Sequence, residues 1–296
     1  MNKLKKVEAT PGIEPGFTVL QTVASPLRHV AESAQRDLAP RLAERKVLQK
    51  ERARLNVDRS IVSMDDPQYK RRAPRDYPPM LDATALRANM VAAQLRTNDV
   101  KDPRVLRAMG AVPRERFVPP EKAPEAYMEG YVALGHGRVL NDPRSLGKLL
   151  QLAEITESDS VLDVGCATGY STAVLSQVAA RVYGLESDVE LGKTAVANLK
   201  SLGAGNAHVV AGFLPEGLAA ESPFDVIFVN AAIEERPDAL LAQLGNGGRL
   251  VAVVCDGAAG HGYLYVKHDG AISERSAFDA QLPVLPGFAK KPRFVF

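Results

Sequence analysis

The stretch that decides the fold is residues 161–170, VLDVGCATGY. An apolar run of valine and leucine ends around Asp163, a turn bounded by Gly165 and Gly169 follows, and a helical pattern begins at Tyr170. This order predicts a ligand site at the carboxyl end of a parallel strand, where glycine backbone permits a close approach. The two glycines are four residues apart, so they do not match the G-x-G-x-x-G spacing of a dinucleotide site.

Strand and helix patterns alternate downstream of this turn. Strands are predicted at 161–164, 182–186, 207–210, 224–230 and 250–255, and helices at 170–179, 190–202 and 236–244. This alternation predicts an α/β fold, with a doubly wound parallel sheet that has helices on both faces. The runs 262–267 and 272–279, joined by the His268-Asp269-Gly270 turn, predict an antiparallel hairpin. We therefore expect a mostly parallel seven-stranded sheet with an antiparallel C-terminal pair.

A helical cover is predicted on the N-terminal side of the sheet. Helices are expected at 82–97, 102–110 and 143–155. Asp82 and Asp102 are suited to N-cap positions, and Pro103 to a first helical position. Four prolines between residues 112 and 138 predict a mostly irregular stretch with one short helix near 123–129.

Charge divides the chain of 296 residues into two unlike parts, although the net charge is only +2. Residues 1–79 carry 16 Lys and Arg against 10 Asp and Glu, whereas residues 80–296 carry 21 against 25. We expect a folded domain over 80–296 and a basic, largely disordered or partly helical extension over 1–79. That extension is interpreted as a nucleic-acid or membrane-surface arm, as a solvated appendage, or as the result of a start assigned upstream of Met80.

Composition excludes several classes of protein. Apolar residues make up 46% of the chain, which is ordinary for a globular protein, and no apolar run is long enough for a transmembrane helix. Cys166 and Cys255 form no CxxC pair, which indicates reduced thiols in a cytoplasmic protein. The five histidines lack metal-ligand spacing. We expect a cytoplasmic monomer without a metal, nucleic-acid or membrane partner; the mildly acidic body also disfavours nucleic acid.

The acidic-x-Gly-x-x-x-Gly pattern resembles motif I of the class I S-adenosylmethionine-dependent methyltransferases. Glu186 ends the next predicted strand, 23 residues after Asp163, where a carboxylate can accept hydrogen bonds from both ribose hydroxyls. The resemblance implies S-adenosyl-L-methionine as the cofactor. Its candidate binding residues are Asp163, Gly165, Cys166, Ala167, Gly169, Glu186, Gly212 and Phe213.

Segments outside motif I resemble one family within that class, the protein-L-isoaspartate O-methyltransferases. They are residues 90–95 (MVAAQL), 105–109 (VLRAM), 112–119 (VPRERFVP), 223–227 (PFDVI) and 247–251 (GGRLV). The resemblance extends over about residues 88–255. It implies a Rossmann-like methyltransferase fold and methyl transfer to the carboxylate of L-isoaspartyl residues in damaged proteins, which is a protein-repair reaction.

The same resemblance points to a substrate loop at residues 137–143, GRVLNDP. The family has Gly-Gln-Thr-Ile-Ser before the proline, in a loop that covers the cofactor and the isoaspartyl carboxylate. Here Val139 and Asn141 replace the hydroxyl-bearing residues. Asn141 retains an amide donor and Arg138 can pair with a carboxylate in a bidentate way, so these two are the candidate catalytic contacts. Val139 and Leu140 are predicted to line the substrate side.

A second departure follows the third predicted strand, where the family's Gly-Asp-Gly is replaced by Gly212-Phe213-Leu214. Phe213 could stack on adenine but cannot accept its hydrogen bonds. The reaction needs no general base because a carboxylate is already ionised at pH 7, and orientation alone can contribute ~7–11 kcal/mol. Two alternatives stay open, namely methylation of a different carboxylate and a non-catalytic module that binds S-adenosylmethionine or isoaspartyl protein.

Overall fold

The computed structural model describes residues 82–257 and 259–290. Its main sheet has seven strands, namely β3 (Ser160–Val164), β4 (Arg181–Glu186), β5 (Ala207–Ala211), β6 (Phe224–Ile233), β7 (Leu244–Asp256), β8 (Ala259–His268) and β9 (Ala271–Asp279). They lie in the order β5-β4-β3-β6-β7-β8-β9. Strands β3 to β7 are parallel to one another, β8 is antiparallel to β7, and β9 is antiparallel to β8. The predicted fold class is confirmed.

A small antiparallel pair of strands precedes this sheet, and helices and helical turns connect the strands. The pair is β1 (Val132–Gly135) and β2 (Arg138–Leu140). The helices are α1 (Ala83–Asn89), α2 (Pro103–Ala111), α3 (Pro143–Leu152), α4 (Tyr170–Leu175), α5 (Val189–Ser201) and α6 (Asp238–Ala242). A π-helical turn (Met90–Leu95) and a 3-10 turn (Arg96–Asn98) follow α1, and further 3-10 turns lie at Arg114–Phe117, Pro120–Tyr127, Leu214–Glu216 and Ala219–Glu221.

Local sequence signals explain where the first helices begin. The Asp82 side chain accepts a hydrogen bond from the Thr84 amide at 2.9 Å, and Asp102 accepts one from the Arg104 amide at 2.8 Å. Both predicted N-caps are therefore confirmed, and Pro103 stands at the start of α2 as expected. Each cap satisfies an amide that the first helical turn would otherwise leave unpaired.

The prediction of a mostly irregular stretch over 112–138 was wrong at its end, where β1 and β2 form a hairpin. His136 and Gly137 connect the strands with φ of 54° and 70°, the left-handed pair that a tight hairpin turn uses. Strands of four and three residues are too short for their alternation to be recognised. Helices predicted at 170–179 and 236–244 are also shorter than expected.

Both faces of the parallel strands are buried, which explains their apolar sequences. In β3, Val161 packs in the core on one face, and Leu162 and Val164 pack in the core on the other. The N-terminal helices cover the Val161 face, to which they contribute Met90 and Met109. No helix among the described residues is long and apolar enough to span a membrane. The predicted extension over 1–79 lies outside the described residues.

The strand order reverses direction beside β3, which has β4 on one side and β6 on the other. In open α/β sheets the ligand crevice forms at this point, outside the carboxyl ends of the strands. The carboxyl ends of β3 and β4 carry Val164 and Glu186. The fold therefore brings the glycine turn and the predicted ribose carboxylate to one place.

Candidate cofactor and substrate site

The turn between β3 and α4 has left-handed backbone at three residues, with φ of 80° at Gly165, 49° at Ala167 and 91° at Gly169. The Gly165 amide donates to the Leu185 carbonyl at 2.8 Å, which fixes the turn against β4. A Cβ on Gly169 would lie 3.1 Å from Cβ of Ala195 in α5. Glycine is therefore needed there both for its φ and for the close packing of the helix.

Asp163 lies at the centre of the sheet with its side chain fully buried. Its Oδ2 accepts hydrogen bonds from Ser171 Oγ at 2.7 Å and Thr172 Oγ1 at 2.6 Å. Its Oδ1 has no hydrogen-bond partner among the described residues. Burial raises the pKa of this carboxyl group to about 6, although the two hydroxyl donors oppose that shift. Asp163 Oδ1 is therefore a buried acceptor without a donor in the described part of the chain, next to the glycine turn.

Glu186 ends β4 and its carboxylate is fully enclosed. Oε2 accepts from the Ala167 amide at 2.7 Å. Oε1 accepts from the amides of Ser187 at 2.9 Å and Asp188 at 3.1 Å, and from Arg138 Nη1 at 2.9 Å. A carboxylate offers about four acceptor positions. The described protein groups therefore take up the hydrogen-bonding capacity of Glu186.

Arg138 reaches this carboxylate from β2, with only 6% of its side chain exposed. Its Nη2 donates to the Gly165 carbonyl at 2.6 Å. A Cβ built on Gly165 would lie 2.8 Å from Arg138 Nη2 and 2.7 Å from Cδ1 of Leu285. The cavity left beside Arg138, Asn230 and Leu285 has a volume of about 10 Å³. Arg138 and Leu285 thus lie close against the motif glycine.

Asn141 lies three residues further along the same loop and is held by Asn230. Its Nδ2 donates to the Asn230 backbone carbonyl at 3.0 Å and to Asn230 Oδ1 at 2.9 Å. Arg114, from the VPRERFVP segment, is completely buried and donates to the carbonyls of Asn141 and Ala126. Its guanidinium carbon lies 4.9 Å from the centre of the Tyr170 ring. The segment therefore does more than cover the sheet, because it anchors the candidate substrate loop.

The remaining predicted site residues do not all lie close together. Val139 is half-buried and lines the small cavity beside Arg138. Leu140 instead packs in the hydrophobic core with 5% exposure. Cys166 lies within the turn, where burial raises the pKa of its thiol well above the usual range. The Gly212 amide donates to the Glu186 carbonyl at 3.0 Å, and the next residue, Phe213, is 58% exposed.

Sequence reasoning missed two residues that the structure brings into this site. Asn230 donates from Nδ2 to the Gly165 carbonyl at 3.3 Å. The sequence did indicate this residue, because Asn230 is the polar residue that follows the apolar run of β6, at the point where the strand order reverses. Leu285 follows β9, and its amide donates to the Ala232 carbonyl at 2.8 Å. Nothing in the local sequence indicates that this leucine returns to the glycine turn.

A larger cavity, of about 670 Å³, lies where the substrate loop enters α3. Its lining includes Asp142, Arg144 and Ser145 on that side, and His261 and Asp279 from β8 and β9. A volume in this range is typical of ligand sites. The substrate loop therefore contributes Arg138 and Val139 to the small cavity and Asp142 to the larger one.

Solved structures share this architecture. One protein-L-isoaspartate O-methyltransferase superposes with a TM-score of 0.60 at 24% identity, covering 68% of this chain and 66% of the other. A Plasmodium falciparum protein assigned to the same activity, solved in complex with S-adenosyl-L-homocysteine, gives 0.58 at 21% identity, covering 69% and 97%. The fold is therefore that of a Rossmann-like, class I methyltransferase.

Sequence comparison narrows the class to a family. The profile of protein-L-isoaspartate(D-aspartate) O-methyltransferase matches residues 86–279. The protein-L-isoaspartate O-methyltransferase of Koribacter versatilis is 38% identical over 201 residues, or 68% of this chain and 90% of that protein. The Protochlamydia amoebophila protein of the same name is 40% identical over 165 residues, or 56% and 79%. The chain belongs to the protein-L-isoaspartate O-methyltransferase family, which confirms the predicted family and enzyme class.

Proposed function

We propose that this protein transfers the methyl group of S-adenosyl-L-methionine to the carboxylate of L-isoaspartyl residues in damaged proteins. The observation that carries this proposal is the 38% identity to the Koribacter versatilis protein of that name, which extends over 90% of its length. The presence of Asp163, the glycine turn and Glu186 at the reversal point of the sheet supports it.

The chemistry of these residues fits S-adenosyl-L-methionine. The free Oδ1 of Asp163 is an acceptor for a cationic or N–H donor, and Glu186 is an acceptor for ribose hydroxyls. In this arrangement the Arg138 guanidinium takes a hydrogen-bonding position on Glu186 and lies against Gly165, where the cofactor would contact both residues. We assign cofactor binding to Asp163, Gly165, Cys166, Ala167, Gly169, Glu186, Gly212 and Phe213, with Arg138 displaced.

The bound cofactor would supply an activated methyl group on a sulfonium. The substrate carboxylate is ionised at pH 7, so the protein has to orient it and exclude water rather than remove a proton. We assign the carboxylate contacts to the Asn141 amide and the Arg138 guanidinium. Val139 lines this side, while Leu140 supports the loop from the core. Arg114 is a positioning residue because it holds the Asn141 carbonyl.

A radiolabelled methyl-transfer assay on an isoaspartyl peptide and its aspartyl counterpart tests the proposal. We expect transfer to the isoaspartyl peptide only, and a loss of at least ~tenfold in kcat/KM for Glu186→Gln, since hydrogen bonds to charged groups contribute ~1.5–3 kcal/mol. Glu190→Gln is the matched control, because Glu190 is exposed on α5 in an ion pair with Lys193. Equal activity of Glu186→Gln and wild type would contradict our placement of the cofactor.

The altered loop favours a second candidate, which is methylation of a different carboxylate. Val139 has no hydroxyl, and the Asn141 amide is engaged by Asn230. Transfer to other acids but not to isoaspartyl peptides would support this candidate. Calorimetric binding of S-adenosyl-L-homocysteine without any transfer would instead indicate a non-catalytic binding module.

We also propose that the protein acts in the cytoplasm as a monomer, without nucleic-acid or membrane partners. The two free cysteines support the cytoplasmic location, and the mildly acidic charge of residues 80–296 disfavours a nucleic-acid partner. Light scattering coupled to size-exclusion chromatography measures the mass directly. A dimer in that experiment would contradict the assignment of a monomer.

A further inference from the structure

The Arg138–Glu186 pair places a protein side chain where the proposed function needs a cofactor. We infer that Arg138 is an internal occupant of the ribose subsite, and that S-adenosylmethionine binds only when it displaces the Arg138 guanidinium from Glu186. This inference rests on the proposed function and deepens it, since it makes cofactor binding a competition with a residue of the substrate loop.

Two contacts define the closed state. Arg138 Nη1 lies 2.9 Å from Glu186 Oε1, and Nη2 lies 2.6 Å from the Gly165 carbonyl oxygen. The guanidinium therefore bridges the ends of β3 and β4, the two strands that carry the candidate cofactor residues. Leu285 also lies against Gly165, since a Cβ built there would be 2.7 Å from Leu285 Cδ1 and 2.8 Å from Arg138 Nη2.

The surroundings show that Arg138 can leave without disrupting the sheet. It lies on the three-residue strand β2, which among the described residues pairs only with β1 and lies outside the seven-stranded sheet. The Glu186 carboxylate keeps three backbone amide donors, those of Ala167, Ser187 and Asp188, when the guanidinium is removed. The carboxylate is therefore held in place independently of Arg138, whereas the arginine depends on the carboxylate for its charge partner.

A closed state of this kind reduces the apparent affinity for the cofactor in proportion to the open fraction. If the open state is populated at about 10% or less, the affinity is about tenfold or more below that of an open site. A substitution that removes the bridge then has two effects of opposite sign. It lowers the stability of the unliganded protein, because Glu186 loses its buried charge partner. It also raises the affinity for the cofactor.

The test uses the full chain and S-adenosyl-L-homocysteine, titrated by calorimetry, together with the melting temperature without ligand. The variant is Arg138→Gln, which keeps a hydrogen-bond donor but removes the charge and the second contact. Arg138→Lys keeps the charge with a single point of contact and serves as a milder variant. Arg181→Gln is the control, because Arg181 is exposed at the opposite end of the same strand as Glu186.

We expect Arg138→Gln to bind about tenfold or more tightly and to melt at a lower temperature, Arg138→Lys to lie between, and Arg181→Gln to match wild type. Binding by Arg138→Gln when wild type shows none would also support the inference. Unchanged or weaker binding by both Arg138 variants, with wild-type binding intact, would overturn it and leave the proposed function standing. Absence of binding in every protein would overturn the proposed cofactor itself and the competition with it.

Discussion

Two arginine–carboxylate pairs lie at opposite ends of the sheet, and they differ in how they are built. At the carboxyl end Arg138 meets Glu186 at 2.9 Å, and at the amino end Arg249 meets Asp159 at 2.6 Å. Arg249 belongs to the 13-residue strand β7, which lies between β6 and β8. Arg138 belongs to a three-residue strand outside that sheet.

The contacts beyond each pair show what the difference means. Arg249 also donates to the carbonyls of Ala153 and Glu154, so it joins the end of α3 to the start of β3. These contacts of Arg249 include none of the candidate site residues. Arg138 instead lies against Gly165 and donates to its carbonyl. A buried ion pair is thus a structural link at one end of this sheet and an obstacle to the proposed ligand at the other.

The largest effect is expected at the amino end. Arg249→Met should lower the free energy of unfolding by about 3–5 kcal/mol, because it leaves the buried Asp159 carboxylate without its charge partner. Urea denaturation measures the loss. Arg236→Met is the control, since its pairs with Asp238 and Glu274 are exposed and should contribute less than ~1 kcal/mol. If Arg249→Met lowers the free energy of cofactor binding as much as the free energy of unfolding, the contrast between the two ion pairs is wrong.

The second effect belongs to the carboxyl end and depends on pH. The folded-state pKa of Asp163 is about 6, above its usual 3.8, so the folded protein retains a proton that the unfolded chain releases. The stabilising contribution is therefore complete below pH ~4 and is lost as the pH rises through 6. It amounts to about 3 kcal/mol.

Comparison with Asp163→Asn isolates that contribution, because the amide cannot titrate. We expect the free energy of unfolding of wild type, relative to Asp163→Asn, to fall by about 2 kcal/mol between pH 4 and pH 7, measured by urea denaturation. Parallel curves for the two proteins would show that Asp163 does not titrate in this range.

The sequence predicted the features of the site that depend on local pattern. The apolar run before Asp163, the spacing of Gly165 and Gly169, and the position of Glu186 at the end of a strand correctly identified the strands and the turn between them. The N-caps at Asp82 and Asp102 could also be predicted from the sequence, because each capping hydrogen bond joins residues that are only two apart.

The features that depend on tertiary contacts could not be predicted in the same way. The direction of the Arg138 side chain depends on a β1–β2 hairpin whose strands are too short to show a period. Leu285 lies 120 residues after Gly165, and only the path of the chain after β9 brings them together. The sequence therefore indicated the candidate site residues, Arg138 among them, but not the Arg138–Glu186 contact or the approach of Leu285 to Gly165.

The smallest expected effect tests the exposed edge of the carboxyl end. Phe213 follows the Gly212 amide that is bonded to the Glu186 carbonyl, and 58% of it is exposed, so its removal should hardly alter stability. If its ring stacks on adenine, Phe213→Ala should weaken S-adenosyl-L-homocysteine binding by ~0.5–1.5 kcal/mol, or about two- to tenfold, in calorimetry. Phe213→Tyr keeps an aromatic face and should bind as wild type does. Equal affinities for the alanine and tyrosine variants would remove Phe213 from the site and restrict it to the Asp163 and Glu186 positions, where Arg138 competes.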